Sequence, residues 1–151
     1  MRIKARAIIW IDGLLIVVER ETEGEGPEFA LPGGHVNPQE SIADALKREV
    51  SEETGLEIAP GPLLYVSEVG EPARTHDLEL VFLAEASGIP TLRGRFTTLD
   101  LDAGSRPGFR PAILEEIACD ARDGWRSTPR WLGAIRPTHL GTPRLARDGQ
   151  R

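Results

Sequence analysis

Glu40, Glu49, Glu52 and Glu53 cluster in this chain, with Arg48 among them and Gly33-Gly34 just upstream, in the stretch "LPGGHVNPQESIADALKREVSEETGLEI". Its middle reads as an amphipathic helix. With Ile42 at 0° and about 100° per residue, Ala45 falls near 300°, Leu46 near 40°, Val50 near 80° and Ala43 near 100°. That arc is the face expected to pack on the protein. Asp44, Lys47, Arg48 and Ser51 fill the opposite side. Glu49, at about 340°, and Glu53, at about 20°, fall inside the apolar arc, while Glu52, at about 280°, flanks it.

A solvated charged face accounts for Asp44 and Lys47. It does not account for Glu49 and Glu53, because turning them to water would expose Ile42 and Leu46. Two carboxylates one turn apart repel by only about 0.2–0.5 kcal/mol on an exposed helix. At ~5 Å and an effective dielectric of ~20 the repulsion is roughly 3 kcal/mol. A proton held at a raised pKa would relieve it, and a divalent cation would relieve it better. All-oxygen, carboxylate-rich ligation selects hard ions, so the expected ion is Mg²⁺, with Mn²⁺ as a substitute. Gly33-Gly34 is expected to turn tightly against the helix, where a peptide carbonyl would add a ligand; an ordinary turn is the plainer reading. Arg48 precedes Glu52 by one turn, a spacing that orients a carboxylate. Glu40 sits near the helix start, where an acid favours the helix dipole.

The elements that must position these groups follow from apolar periodicity and turn residues. Residues 2–11 and 14–20 are expected to be strands joined by a hairpin turn at Asp12-Gly13. "FALPGG" reads as a short strand running into the glycines. Ser41, with Asp44 three residues on, starts a helix over 42–54 that Gly55 ends. "LLYVSEV" and "LELVFLAEA" read as strands, the second apolar on both faces in its middle. Residues 88–110 are turn-rich and resist assignment. "RPAILEEIACDARDG" reads as a second helix stopped at Gly124, and "RWLGAI" as a last strand. This order predicts an α/β fold, a mixed sheet packed between helices. Residues 1–136 form one domain, and 137–151 have the composition of a tail within the same single-domain chain.

The whole chain narrows the function classes. Its 151 residues fit one domain, and its net charge of −6 argues against coating a nucleic acid polymer. The acids gather at residues 40–57 and arginines gather from Arg122 onward; Lys4 and Lys47 are the only lysines. Arginine suits phosphate, although codon usage alone would give the same bias. The lone Cys119 excludes a disulfide framework within the chain and reads as a core or incidental residue. No apolar run reaches the length of a membrane span. With no leader segment in evidence, a reducing cytoplasm is the expected location.

The spacing resembles the signature of the Nudix hydrolases: Gly, five residues, Glu, seven residues, Arg-Glu, an aliphatic, any residue, Glu-Glu, any residue, Gly, an aliphatic. Gly34, Glu40, Arg48-Glu49, Val50, Glu52-Glu53, Gly55 and Leu56 supply it without departure. Phe29 stands where many relatives carry Trp. The resemblance implies the Nudix fold, an α/β/α sandwich with the signature as loop–helix–loop, and hydrolysis of a nucleoside diphosphate linked to another group. By position, Glu49, Glu52 and Glu53 look like metal ligands, with the Gly33 carbonyl as an addition. Arg48 looks like the residue that orients the carboxylates, and Glu40 like an outer partner.

In that chemistry metal ions neutralise the diphosphate and activate water for in-line attack. Glu53 or Glu52 is the expected proton acceptor, with Asp100, Asp102, Glu115 and Glu116 as alternatives from later segments. The expected partner is a small nucleotide-type molecule: a nucleoside tri- or diphosphate, ADP-ribose or a nucleotide sugar. Trp10, Tyr65, Phe109, Trp125 and Trp131 are candidates to stack on a base, although packing is the commoner role of such residues. His76, in an expected loop, is a phosphate candidate, and Pro72 stands where ADP-ribose-cleaving relatives often have proline. A homodimer is the expected assembly by the same resemblance. Two other classes compete. One is a silent module that senses a nucleotide or ADP-ribose, which would tolerate loss of the acids that this chain keeps. The other is diphosphate isomerisation, which needs a catalytic cysteine and metal-ligating histidines that Cys119 and three scattered histidines do not supply.

Overall fold

A computed structural model of the chain describes residues 1–22, 26–70, 76–91, 96–103, 109 and 113–135. β1 (Arg2–Ile8) and β2 (Trp10–Ile11) are one apolar run in the sequence but belong to different sheets. The single strand expected over 2–11 breaks at Ile9, whose carbonyl accepts from the Ile16 N–H at 2.9 Å. β2 turns through Asp12-Gly13 into β3 (Leu14–Thr22) as expected. Both turn residues have positive φ, 51° and 78°, the signs a type I′ hairpin requires.

β4 (Gly26–Ala30) returns antiparallel to β3, and β5 (Gly33–His35) crosses to pair with β1. The two glycines are therefore an edge strand, not the tight turn expected. α1 (Ile42–Thr54) has the expected bounds. Ser41 Oγ accepts from the Asp44 N–H at 3.1 Å, and Gly55 ends the helix at φ 72°, its N–H donating to the Ser51 carbonyl at 2.9 Å. Ala45, Leu46, Val50 and Thr54 are buried, while Ala43 is exposed, so the inward arc is narrower than the wheel implied.

β6 (Glu57–Gly70) is longer than expected, because bulges between Pro60 and Tyr65 keep Pro60-Gly61-Pro62 within the strand. β7 (His76–Ser87) starts at His76, which lies in the strand and not in a loop; its ring nitrogen is 2.8 Å from a Glu68 carboxylate oxygen. β8 (Phe96–Leu99) emerges from the unassigned segment by pairing with β3. α2 (Leu114–Asp123) and β9 (Arg130–Ile135) complete the order. Pro72, residues 110–112 and the tail from 136 lie outside the described residues.

The larger sheet has the order β5-β1-β7-β6-β9; β1 runs parallel to β7, and β6 parallel to β9. The smaller sheet joins β2, β3, β4 and β8 around β3. One core cluster lies under α1, with Ala5, Ala7, Ile9, Leu46, Val50 and Leu56. The other lies across the larger sheet, where Ile8, Tyr65 and Val81 meet Leu114, Ile117 and Ala118 of α2. This is the expected mixed sheet between helices. Its β5 edge is where α1 and the end of β3 approach each other.

Candidate active site

Glu49 and Glu53 sit on the flank of α1 that meets β5, their side chains only 21% and 25% exposed. Glu53 Oε2 accepts from the Gly33 N–H at 2.8 Å. A Cβ built on Gly34 would fall 2.5 Å from Glu49 Cδ, so Gly34 leaves the room that this carboxylate occupies. Burial pushes the Glu53 carboxyl above the ordinary range; the Gly33 N–H, Arg20 and Arg6 oppose that, and Glu49 adds to it. Glu52 points outward with a side chain 61% exposed. The wheel therefore placed the three acids on the correct sides.

Arg48 is the hub beside them. The wheel puts it on the solvent side, yet its guanidinium folds back and is only partly exposed. Nε and Nη2 donate to Glu40 at 3.1 and 2.7 Å, Nη1 donates to Glu49 Oε1 at 2.9 Å, and Nη2 donates to the His35 carbonyl at 3.2 Å. Glu52 is 3.6 Å from Nη1, beyond hydrogen-bond range, so Arg48 orients Glu49 and not the one-turn partner that spacing suggested. Glu40 also caps the Asn37 N–H at 2.7 Å. Hydrogen bonds from Arg48 and the Asn37 amide hold the Glu40 carboxyl below its ordinary range. Beyond favouring the helix dipole, Glu40 fixes the guanidinium that fixes Glu49.

Three residues that sequence reasoning missed complete the neighbourhood. Arg6 on β1 and Glu79 on β7 form a buried ion pair, Nε to Oε1 at 2.6 Å. Arg6 Nη1 donates to the Gly33 carbonyl at 2.5 Å and to the Leu31 carbonyl at 3.2 Å. Arg20 on β3 brings Nη2 to 3.5 Å from the Gly33 carbonyl and 3.6 Å from Glu53 Oε1. Burial, followed by the Arg6 charge, pulls the Arg20 guanidinium below its ordinary value. The signal available in sequence was one charge inside each of two apolar strand runs, "ARAIIW" and "LELVFL".

Donor chemistry at this edge suits a hard divalent cation, since it is carboxylate and carbonyl oxygen only. The room at Gly34 and the raised Glu53 carboxyl agree with a site built to concentrate negative charge. Among the described residues, however, no three His, Cys, Asp or Glu side chains converge as they stand. Glu49 is turned to Arg48, Glu53 to the Gly33 amide and Glu52 to water. The Gly33 carbonyl accepts from Arg6 at 2.5 Å and from Arg20 at 3.5 Å, so as a metal ligand it would have to give up the longer of these bonds.

The other candidates are dispersed. Asp100, Asp102, Trp10 and Trp125 line a separate cavity of about 330 Å³ with Gly13 and Arg122, beside the β2–β3 turn. Glu115 and Glu116 ride on α2, across the larger sheet from α1. Tyr65 is buried, its hydroxyl donating to Asp120 Oδ2 at 2.6 Å, so it is a core residue. Phe109 packs on the same core as a half-buried residue bridged to Phe29. Trp131 is 58% exposed on β9, at the far edge of the sheet from β5. Cys119 is exposed on α2, not in the core.

Residues 1–102 match the family model of the NUDIX domain. The chain belongs to the Nudix family. Among curated relatives it is 39% identical over 113 residues to the mouse protein named 8-oxo-dGDP phosphatase NUDT18, covering 74% of this chain and 32% of the relative. It is 40% identical over 77 residues to the human protein of the same name, covering 51% of this chain and 22% of that one. An ADP-ribose pyrophosphatase of Methanocaldococcus jannaschii is 35% identical over 82 residues, 54% of this chain and 48% of the relative. This Nudix chain thus spans less than half the length of these relatives. Among solved structures, a NUDIX hydrolase from Nitrosomonas europaea superposes with a TM-score of 0.69 at 25% identity, over 83% of this chain and 90% of that one. A MutT NUDIX hydrolase from Burkholderia pseudomallei gives 0.66 at 27%, over 77% and 97%.

Proposed function

We propose that the chain is a Nudix pyrophosphohydrolase that cleaves the diphosphate linkage of a nucleoside diphosphate derivative with Mg²⁺. The observation that carries this reading is the pair of half-buried carboxylates, Glu49 and Glu53, held against the β5 glycines by Arg48 and the Gly33 amide. Glu49, Glu52 and Glu53 are the carboxylates that would hold the metal, Glu53 giving up that part where it serves instead as the base, and the Gly33 carbonyl would join them by giving up its long bond from Arg20. The metal supplies charge neutralisation at the diphosphate and lowers the pKa of water. The chain's own residues then have distinct tasks. Glu40 and Arg48 keep Glu49 from rotating away. The Gly33 N–H fixes one oxygen of Glu53 and leaves Oε1 to take the proton of the attacking water. The raised Glu53 carboxyl favours it over the exposed Glu52 for that step. Arg20, beside Glu53, is placed to meet a substrate phosphate.

The relatives named for 8-oxo-dGDP and ADP-ribose support a small nucleotide substrate that carries a diphosphate. No helix among the described residues is long and apolar enough to cross a membrane. A reducing cytoplasm fits the single cysteine of the chain. The test is a panel of nucleoside tri- and diphosphates, 8-oxo-dGDP, ADP-ribose and nucleotide sugars with Mg²⁺, scored by product mass. Wild type should cleave at least one and Glu53→Gln none at comparable rate. Nucleotide binding without turnover by wild type would make the chain a sensing module instead.

A further inference from the structure

Arg6 and Glu79 face each other between β1 and β7, 3% and 1% exposed. Such a pair is a poor route to stability, because desolvation of both charges offsets their attraction, and well-packed apolar residues do as well or better. Glu79 also commits only Oε1 to Arg6, and its Oε2 has no partner among the described residues. What the pair does that an apolar pair would not is hold backbone carbonyls. Arg6 Nη1 donates to the Leu31 and Gly33 carbonyls, and the Ala7 N–H donates to the Pro32 carbonyl at 2.9 Å. Three successive carbonyls are thereby pinned to β1. The Gly33 N–H shares its peptide plane with the Pro32 carbonyl that Ala7 holds, and Arg6 clamps the peptides on either side of it, so the three bonds together aim that N–H at Glu53 Oε2.

We propose that Arg6, gripped by Glu79, is a positioning residue that clamps the peptides on both sides of the Pro32–Gly33 peptide, so that the Gly33 N–H holds Glu53 in place for catalysis. The relay runs Glu79, Arg6, Gly33, Glu53, and it crosses three strands into α1. It rests on the hydrolase reading above for what Glu53 does, and on the structure alone for how Glu53 is held. Glycine at position 33 is part of the device. Its φ of 131° is one that L side chains rarely adopt, and a Cβ there would strike the Ala5 carbonyl, so the backbone sits closely on β1 where Arg6 reaches it.

The experiment uses the full ¹⁵N-labelled chain with Glu79→Gln, Arg6→Lys and the double replacement Arg6→Leu with Glu79→Leu. The double variant removes both charges together and keeps the test available if a single variant fails to fold. Two readouts are taken: the amide signal and exchange rate of Gly33, and kcat separated from KM on whichever substrate the panel identifies. The inference expects the Gly33 amide to lose its hydrogen-bonded shift and exchange about tenfold or more faster, with amides of β6 and α2 unchanged. It expects kcat to fall about 10–100-fold while KM stays within about threefold. A folded double-leucine variant with the wild-type Gly33 amide signal or wild-type kcat overturns it. Absence of wild-type turnover counts against the hydrolase reading only, because the amide readout needs no turnover.

Discussion

Gly34 on β5 and Glu49 on α1 share one small volume: a methyl group on the glycine would lie 2.7 Å from each carboxylate oxygen of the glutamate. The atoms in the way are the far end of a flexible side chain, so α1 and β5 need not separate to admit it. Glu49 would rotate out instead, breaking its bond to Arg48. Gly34→Ala is therefore expected to keep its melting temperature within a few degrees of wild type and to lose about 10–100-fold in kcat. Calorimetry and steady-state kinetics on one sample check this. A variant with full activity would mean that the Glu49 position does not matter to turnover.

Gly33→Ala is expected to do the reverse in kind. Here the added Cβ meets backbone, 2.1 Å from the Ala5 carbonyl oxygen, at a φ of 131° that L side chains rarely adopt. Neither obstacle can swing aside. The conformation alone costs on the order of 1–3 kcal/mol, and separating β5 from β1 adds to it. The measurement is the urea midpoint of the variant. A midpoint equal to that of Gly34→Ala would refute the distinction between the two glycines.

These glycines also mark the limit of reading the chain without its structure. Local chemistry was legible: Ser41 and Gly55 bound α1, Asp12-Gly13 makes the hairpin, and the wheel puts Glu49 and Glu53 inward with Glu52 on the flank. Non-local contacts were not. β1 and β2 are one apolar run, and only the pairing of β1 with β7 and of β2 with β3 shows that the chain changes sheets at Ile9. Gly33-Gly34 reads as a turn until β1 is beside it. Arg6 and Glu79, 73 residues apart, each look like an isolated charge in a strand until the parallel register brings their side chains to one face. Arg48 fell on the solvent side of the wheel because a wheel has no account of a long side chain that folds back.

Arg48 serves Glu40 through two nitrogens and Glu49 through a third, a geometry that a lysine ammonium cannot reproduce. Arg48→Lys keeps the charge and should still lose about tenfold or more in kcat. Glu40→Gln should lose less, since the amide oxygen still accepts one bond. Because both act on Glu49 through one guanidinium, the double variant should lose no more than Arg48→Lys alone. Additive losses in kcat would show that Glu40 has a separate task.

Asp77 provides a pH test away from the acids of α1. Burial alone would raise its carboxyl, but hydrogen bonds from Lys4 and Arg2 outweigh that and hold it below the ordinary 3.8. A depressed native pKa means that the unfolded chain takes up the proton first as pH falls. The contribution is complete well above pH 3.8 and fades below it as pH approaches the native value. Asp77→Asn should thus cost about 1 kcal/mol at pH 7, a modest figure because Arg2 is largely exposed. The difference from wild type should shrink steadily between about pH 4 and the acid limit. Equal differences at pH 7 and pH 3 by chemical denaturation would contradict the assignment.

The acids of α1 make a prediction about stability that needs no substrate. Burial pushes the Glu53 carboxyl up, and the neighbouring Glu49 charge adds to the cost of ionising it. Replacing Glu53 with glutamine removes that strain and keeps an acceptor for the Gly33 N–H. In the presence of chelator, Glu53→Gln should therefore be as stable as wild type or more so. A cation bound by the folded state reverses the order. At a hundred times its Kd, Mg²⁺ should stabilise wild type by about 2.7 kcal/mol. For a chain of this length that raises Tm by roughly 2–4 °C per kcal/mol. The variant, short of a ligand, should respond far less. Melting curves with chelator and across a Mg²⁺ series decide it. If wild type melts at one temperature throughout that series, the carboxylates are not a metal site, and some other group must answer the repulsion between them.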